Sequence, residues 1–160
     1  GHVSASLDSD IWKVAAFDRI HGTNKHSIGF LENFGADIGA FASTWSFHEN
    51  NLIVLGSNDS DMAIASNHLI KNQGGLVVVK SGKILASLPL QFGGIISTDS
   101  FETVSSNFEK INNTIMDLGC KFTRPHLIPL FLPFLALPSV RILASGIVDV
   151  KKRSYISPIN

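Results

Sequence analysis

Three short polar stretches carry the side chains that could do chemistry. The first is Phe47-His48-Glu49-Asn50-Asn51, which ends where the apolar run Leu52-Ile53-Val54-Leu55 begins. A histidine beside a glutamate can supply a base, a metal ligand or hydrogen bonds to a polar ring. Adjacent residues of an extended chain point to opposite faces, so both would reach one ligand only from a turn. The same residues also fit a solvated loop. The second stretch is Asn58-Asp59-Ser60-Asp61. Asn58 can cap a helix whose first turn holds Asp59 and Asp61, where the helix dipole favours carboxylates. Capping alone accounts for these residues, and the strand-to-helix turn can also face a ligand or a neighbouring domain. It is no phosphate loop, because the Walker spacing and its lysine are missing and two carboxylates repel phosphate. The third stretch is Asp18-Arg19-Ile20-His21. Arg19 can fix a substrate or pair with a carboxylate, and His21 can act as a ligand or base; a surface ion pair uses the same residues.

Other chemistries find little support. His26, His68 and His126 are scattered, and no HxH, HExxH or CxxC spacing occurs, so no metal site is expected in this chain. No GxSxG nucleophile elbow is present. Cys120 follows a predicted helix C-terminus, where the dipole disfavours a thiolate, so a structural thiol is expected. As the single cysteine it makes no internal disulfide, which is compatible with a cytoplasmic location. The 13 basic and 13 acidic residues balance to zero net charge without a basic stripe, which argues against nucleic acid as a partner. Charged residues make up 16% of the chain, against about 25% in ordinary soluble domains. Either part of the surface meets another domain or a second copy, or the domain has a Ser/Asn/Thr-rich surface. The most apolar segment, Leu127 to Leu137, is too short for the roughly 20 residues of a membrane-spanning helix. Pro125, Pro129, Pro133 and Pro138 punctuate it, which predicts an extended, buried connection.

The elements that must position these stretches follow from periodicity. Strands are predicted at Ile11 to Phe17, Ile28 to Phe34, Gly39 to Trp45 and Leu52 to Gly56, with a loop over Asp18 to Ser27. A helix from Asp59 to about Gln73 has Met62, Ala65, Leu69 and Ile70 as its apolar face and Gly74 as its stop. Leu76–Lys80 and Lys83–Leu88 read as a hairpin around Ser81-Gly82. A second helix carries Phe101, Val104, Phe108, Ile111, Ile115 and Leu118 on one face, with Asp99 and Glu102 as a capping box and Gly119 as its end. A strand at Gly146–Val150 closes the domain. The expected fold is α+β, a single domain with a mixed or antiparallel sheet and two main helices. Residues 1–10 are expected as a frayed start in which Gly1-His2 is a tag remnant, 11–150 as the domain and 151–160 as a tail. The absence of an initiator Met suggests a piece of a longer protein.

Several segments, taken in order, carry a resemblance. They are Gly39-Ala40-Phe41-Ala42-Ser43-Thr44, Asn51-Leu52-Ile53-Val54-Leu55-Gly56-Ser57-Asn58-Asp59-Ser60-Asp61-Met62, and Gly74-Gly75-Leu76-Val77-Val78-Val79-Lys80-Ser81-Gly82-Lys83. Leu88-Pro89-Leu90 with Gly94-Ile95-Ile96-Ser97, and Phe134-Leu135-Ala136-Leu137-Pro138 with Gly146-Ile147-Val148-Asp149-Val150, complete the series. The order and spacing resemble the C-terminal domain of bacterial adenine deaminases, in the amidohydrolase superfamily, from about Lys13 to Val150. The chain departs from that pattern at Phe47-His48-Glu49-Asn50, where the family usually has His-Asp-Ser-His, and at Asp18-Arg19-Ile20, where it has Glu-Arg-His.

The resemblance implies a parent protein whose barrel domain hydrolyses adenine to hypoxanthine and ammonia. Its manganese or iron would sit on His and Asp ligands of that barrel, outside this chain, and would activate the attacking water. The C-terminal domain would pack on the barrel and help to close the purine site, and alone would be inactive. His48, Glu49 and Asn51 are the residues expected nearest the purine base, with Asp59, Arg19 and His21 as further candidates. The changed polar positions also suit a non-catalytic structural or binding domain of a degenerate paralogue. No membrane partner is expected.

Overall fold

The computed structural model describes residues 5–8 and 10–156. The reading of Gly1-His2 and the last four residues of the expected tail lie outside the described residues. The strands are β1 (Ile11–Phe17), β2 (His26–Glu32), β3 (Ala40–Ser43), β4 (Leu52–Gly56), β5 (Gly75–Lys80), β6 (Lys83–Pro89), β7 (Val140–Leu143), β8 (Gly146–Asp149) and β9 (Ser154–Ile156). The helices are α1 (Asp59–Lys71), α2 (Phe101–Asp117) and α3 (Leu127–Phe131). Six strands form one sheet in the order β2-β1-β4-β3-β5-β6, every pair antiparallel, and β7-β8-β9 form a second. The α+β reading holds, and the large sheet is antiparallel rather than mixed.

The two faces of the large sheet are covered differently. Trp12, Val14, Phe41, Ile53, Leu55, Leu76, Val78 and Leu88 point into the main core, where Ile111 and Ile115 of α2 meet them. On the other face Ala40, Ala42, Val54, Val77 and Val79 pack against Met62, Ala65 and Leu69 of α1. The alternation along each strand serves both layers, as the period of two requires. The small sheet leans on β2, where the Ser27 hydroxyl donates to the Leu143 carbonyl.

Several sequence expectations are corrected. Ile70, assigned to the apolar face of α1, is 68% exposed. The helix sits on small residues, Ala40 and Ala42, so a narrow stripe suffices and the neighbouring side chain stays outside. Phe101 is 81% exposed as well: the first turn of α2 is exposed, and burial of the repeat begins at Val104. The cap of α2 is Ser100, whose hydroxyl accepts from the Thr103 N–H, while the Asp99 N–H donates to Ser97 Oγ. The expected Asp99–Glu102 capping box is therefore replaced by a cap one residue later.

The segment from Leu127 contains a helix rather than an extended connection. Pro129 stands at the third helical position, where its missing N–H would have had no intrahelical partner, so the proline is tolerated. Strand β7 was not anticipated. Residues 154–156, placed in the tail, pair with β8. The strands predicted at Ile28 to Phe34 and Gly39 to Trp45 do not pair with each other: β2 pairs with β1, and β3 lies between β4 and β5. Ahead of β1, Ser6 and Ile11 exchange backbone hydrogen bonds.

One buried carboxylate ties the layers together. Asp61, 3% exposed, accepts from the backbone N–H groups of Ser81 (2.8 Å) and Gly82 (2.7 Å). Those two residues form the β5–β6 turn, both at positive φ as a type I′ hairpin demands. Asn58 caps α1 by accepting from the Asp61 N–H at 2.9 Å. A Cβ at Gly39 would fall on the Asp61 carboxylate, so the glycine leaves room for it. Replacing Asp61 by Ala removes the charged acceptor of two turn N–H groups and is expected to cost about 1.5–3 kcal/mol in urea unfolding of the domain.

His126 offers a second test. Its ring stacks on Trp45 and its Nδ1 lies 2.6 Å from the Asn112 side-chain oxygen. Burial, then the Arg124 charge, pushes its pKa below the ordinary 6.5. Burial, with Lys71, moves His68 the same way. A depressed histidine pKa means that the unfolded chain binds the proton first. The contribution is complete above about pH 6.5 and is lost as pH falls through the lower folded value. The urea midpoint should drop between about pH 7.5 and pH 5.5, and His126→Gln should shrink that drop.

Candidate functional site

The polar stretches at residues 18–19 and 47–51 meet at one end of the large sheet. Phe17 pairs with Leu52 in the β1–β4 ladder, which places Asp18-Arg19 beside Asn51. The Asn51 side-chain oxygen accepts from the Arg19 N–H at 3.0 Å, and its amide donates to Glu49 Oε2 at 2.9 Å. Glu49 Oε2 also accepts from the Ala144 N–H, 3.2 Å away in the β7–β8 turn. Arg19 Nε donates to the Asn50 carbonyl at 2.9 Å, and Nη2 donates to the Gly93 carbonyl. Four separate segments are thereby joined through Arg19, Glu49 and Asn51.

The loop above this network is bent. His48 and Asn50 both have positive φ, +78° and +49°, a conformation uncommon for residues with side chains and frequent where a loop is shaped for function. It is anchored by Phe47, whose ring meets Phe131 and Phe134 and whose N–H donates to the Leu130 carbonyl. His48 stands at the apex, exposed, with no side-chain partner among the described residues. The turn thus frees the imidazole while committing the neighbouring carboxylate inward, so the two do not face one ligand together.

The remaining candidates lie apart. Asp18 organises its own loop, accepting from the N–H groups of Ile20, His21 and Thr23 and from the Thr23 hydroxyl. The Thr23 hydroxyl first, then these N–H groups, holds its carboxyl well below the usual range. His21 is exposed beside it, Nδ1 at 3.4 Å. Asp59 pairs with Lys13 at the far end of β4, a strand of about 17 Å away from Asn51. Burial pushes the Arg19 guanidinium below its ordinary value.

Sequence reasoning missed three participants. Thr44 is buried; its hydroxyl accepts from the Gly75 N–H at 2.8 Å and donates to the Gly94 carbonyl at 2.6 Å. Gly93 and Ala144 supply backbone partners for Arg19 and Glu49. Only the Gly93-Gly94 pair left a trace in sequence, as a turn signal. A groove of about 190 Å³ lies beside the network, lined in part by Arg19, Thr44, Leu52 and Ile70. A wider cleft of about 560 Å³ lies elsewhere, between β2 and the β8–β9 pair.

Among the described residues no three His, Cys, Asp or Glu side chains converge in a metal-holding group. The described residues therefore offer no ligand set for the manganese or iron that the resemblance assigns to the barrel. Cys120 is buried, and burial first, with Asp10, raises its thiol pKa. No helix among the described residues is long and apolar enough to cross a membrane.

Residues 1–154 match the family described as adenine deaminase C-terminal domain. Over 159 residues the chain is 60% identical to an adenine deaminase of Cenarchaeum symbiosum, covering 99% of this chain and 26% of that protein. It is 36% identical to an adenine deaminase of Clostridium botulinum and 39% identical to one of Brucella abortus, covering 97% and 96% of this chain. In each case it spans about a quarter of the relative's length (26%). This chain belongs to the adenine deaminase C-terminal domain family.

Proposed function

We propose that this chain is the C-terminal domain of an adenine deaminase-like, metal-dependent hydrolase. It packs on a barrel domain of the same polypeptide and helps to complete the purine site carried there. The observation that carries this reading is the 60% identity to an adenine deaminase across nearly the whole chain. On this reading the manganese or iron, and the water it activates, belong to the barrel, and the substrate is a purine base in the cytoplasm.

Within this domain His48 is the side chain best placed to approach the purine. Its exposed imidazole can donate to or accept from a ring nitrogen. Asn51 and Glu49 hold the turn that presents it, and Arg19 braces the turn from the side. Asp59, at the far end of β4, is too far from this loop to act on the same base.

The test uses the full-length protein loaded with manganese and measures ammonia release from adenine. Activity is expected, with His48→Ala lowering turnover by about ten-fold, a general acid–base or hydrogen-bonding effect at its low end, at unchanged metal content. A metal-loaded protein that releases no ammonia overturns the deaminase reading. A His48→Ala variant at the wild-type rate moves the loop away from the site.

One observation favours a second reading, a structural or binding domain of a non-catalytic paralogue. Glu49 Oε2 and the Asn51 amide are engaged with each other, Arg19 and Ala144. Glu49→Ala should then destabilise the domain by about 1–2 kcal/mol in urea unfolding and leave any turnover of the full-length protein intact. Reduced turnover with an unchanged unfolding midpoint sinks that reading.

A further inference from the structure

The loop from Gln91 to Thr98, between β6 and α2, holds three large apolar side chains out of the core. Phe92 is 70% exposed, Ile95 37% and Ile96 53%. No charged residue interrupts them. Isolated exposed apolar residues are ordinary, but three within five positions on one loop form a patch.

The backbone beneath that patch is held from several sides. The Phe92 N–H donates to the Ile96 carbonyl at 3.0 Å, and the Ile96 N–H returns to the Phe92 carbonyl at 3.1 Å. The buried Thr44 hydroxyl donates to the Gly94 carbonyl, and Arg19 donates to the Gly93 carbonyl. Gly93 and Gly94 both have positive φ, +62° and +75°. A Cβ at Gly94 would strike the Arg19 guanidinium, and one at Gly74 would strike the Gly94 Cα, so the loop is seated backbone against backbone. A loop fixed in this way loses little freedom on meeting a partner, which is the condition for tight docking through few side chains.

Resting on the proposed presence of a barrel domain in the same polypeptide, we propose that Phe92, Ile95 and Ile96 are the anchor by which this domain docks into an apolar recess of that barrel. Two further observations select this occupant. The relatives are adenine deaminases of which this chain spans 26%, so about three quarters of such a polypeptide is available to cover the patch. Arg19 also bonds both this loop and the Asn50 carbonyl, so docking here fixes the turn that carries His48 relative to the barrel. The uncharged character of the loop suits an apolar recess rather than an acidic or basic one.

The test compares wild-type full-length protein with the double variant Phe92→Ser/Ile96→Ser and with Phe30→Ser, a control on the exposed face of β2. Limited proteolysis between this domain and the remainder is the readout, beside ammonia release, native mass and urea midpoint. The double variant should be cut about ten-fold faster, with mass and urea midpoint unchanged, and Phe30→Ser should stay within about two-fold of wild type. Ile96→Ser alone gives the same readout should the double variant lose its fold. Equal cutting rates in wild type and double variant overturn the anchor, as does faster cutting in Phe30→Ser alone. A drop in native mass with unchanged cutting also overturns it, and assigns the patch to a contact between copies. Faster cutting in a protein that releases no ammonia from adenine supports the anchor and sinks only the deaminase reading. Unchanged cutting with normal ammonia release sinks only the anchor.

Discussion

A carboxylate withdrawn from water must be met by donors, and in this domain Asp61 is met by the backbone of a hairpin turn twenty residues further on. The contact joins the start of α1 to the β5–β6 turn, and so sets the helix over the small-residue floor of β3. Because β5 lies beside β3, the same contact fixes which strands the helix can cover. The polar end of the sheet inherits its geometry from this arrangement. Gly74 and Gly75 stand where α1 gives way to β5, and Thr44 reads their position through the Gly75 N–H. A hydrogen bond at one end of the helix therefore governs where the loops at its other end are set.

At that other end the chain solves a connection problem with few side chains. Arg19, Asn51, Glu49 and Thr44 join the segments after β1, before β4, after β6 and between β7 and β8. All four accept from or donate to main-chain groups, and none of them pairs charges, so the links owe little to ionic strength. A guanidinium suits this task because its planar fork can serve two carbonyls at once. The consequence is a polar network whose interior is occupied by its own contacts, with one imidazole left facing outward.

How much of this could be read from sequence depended on the range of the interaction. The 3–4 repeat of α2, the Ser81-Gly82 hairpin and the Asn58 cap are local patterns, and each was legible. The width of a buried helix face is not local, since it is set by the partner; Ile70 and Phe101 therefore fell outside the faces assigned to them. Pro129 read as a breaker, although at the third position of α3 it costs no intrahelical bond. At the site, His48, Glu49 and Asn51 were legible as a polar turn. Their division of labour was not, because it depends on Arg19, 32 residues before Asn51, and on Ala144, 95 residues after Glu49. Asp61 read as a first-turn carboxylate, whereas the structure makes it the capping group of a distant hairpin.

The contact between Gly74 and Gly94 bears on how this domain can change. Because two backbones set the height of the loop, its place rests on main-chain contacts more than on the side chains it displays. Position and surface chemistry are thereby separable: residues 92, 95 and 96 can be exchanged for others while the loop keeps its place. A side chain at either glycine does the reverse, shifting the loop and keeping its surface. Such a joint lets one scaffold be refitted to different neighbours by altering only what it shows them.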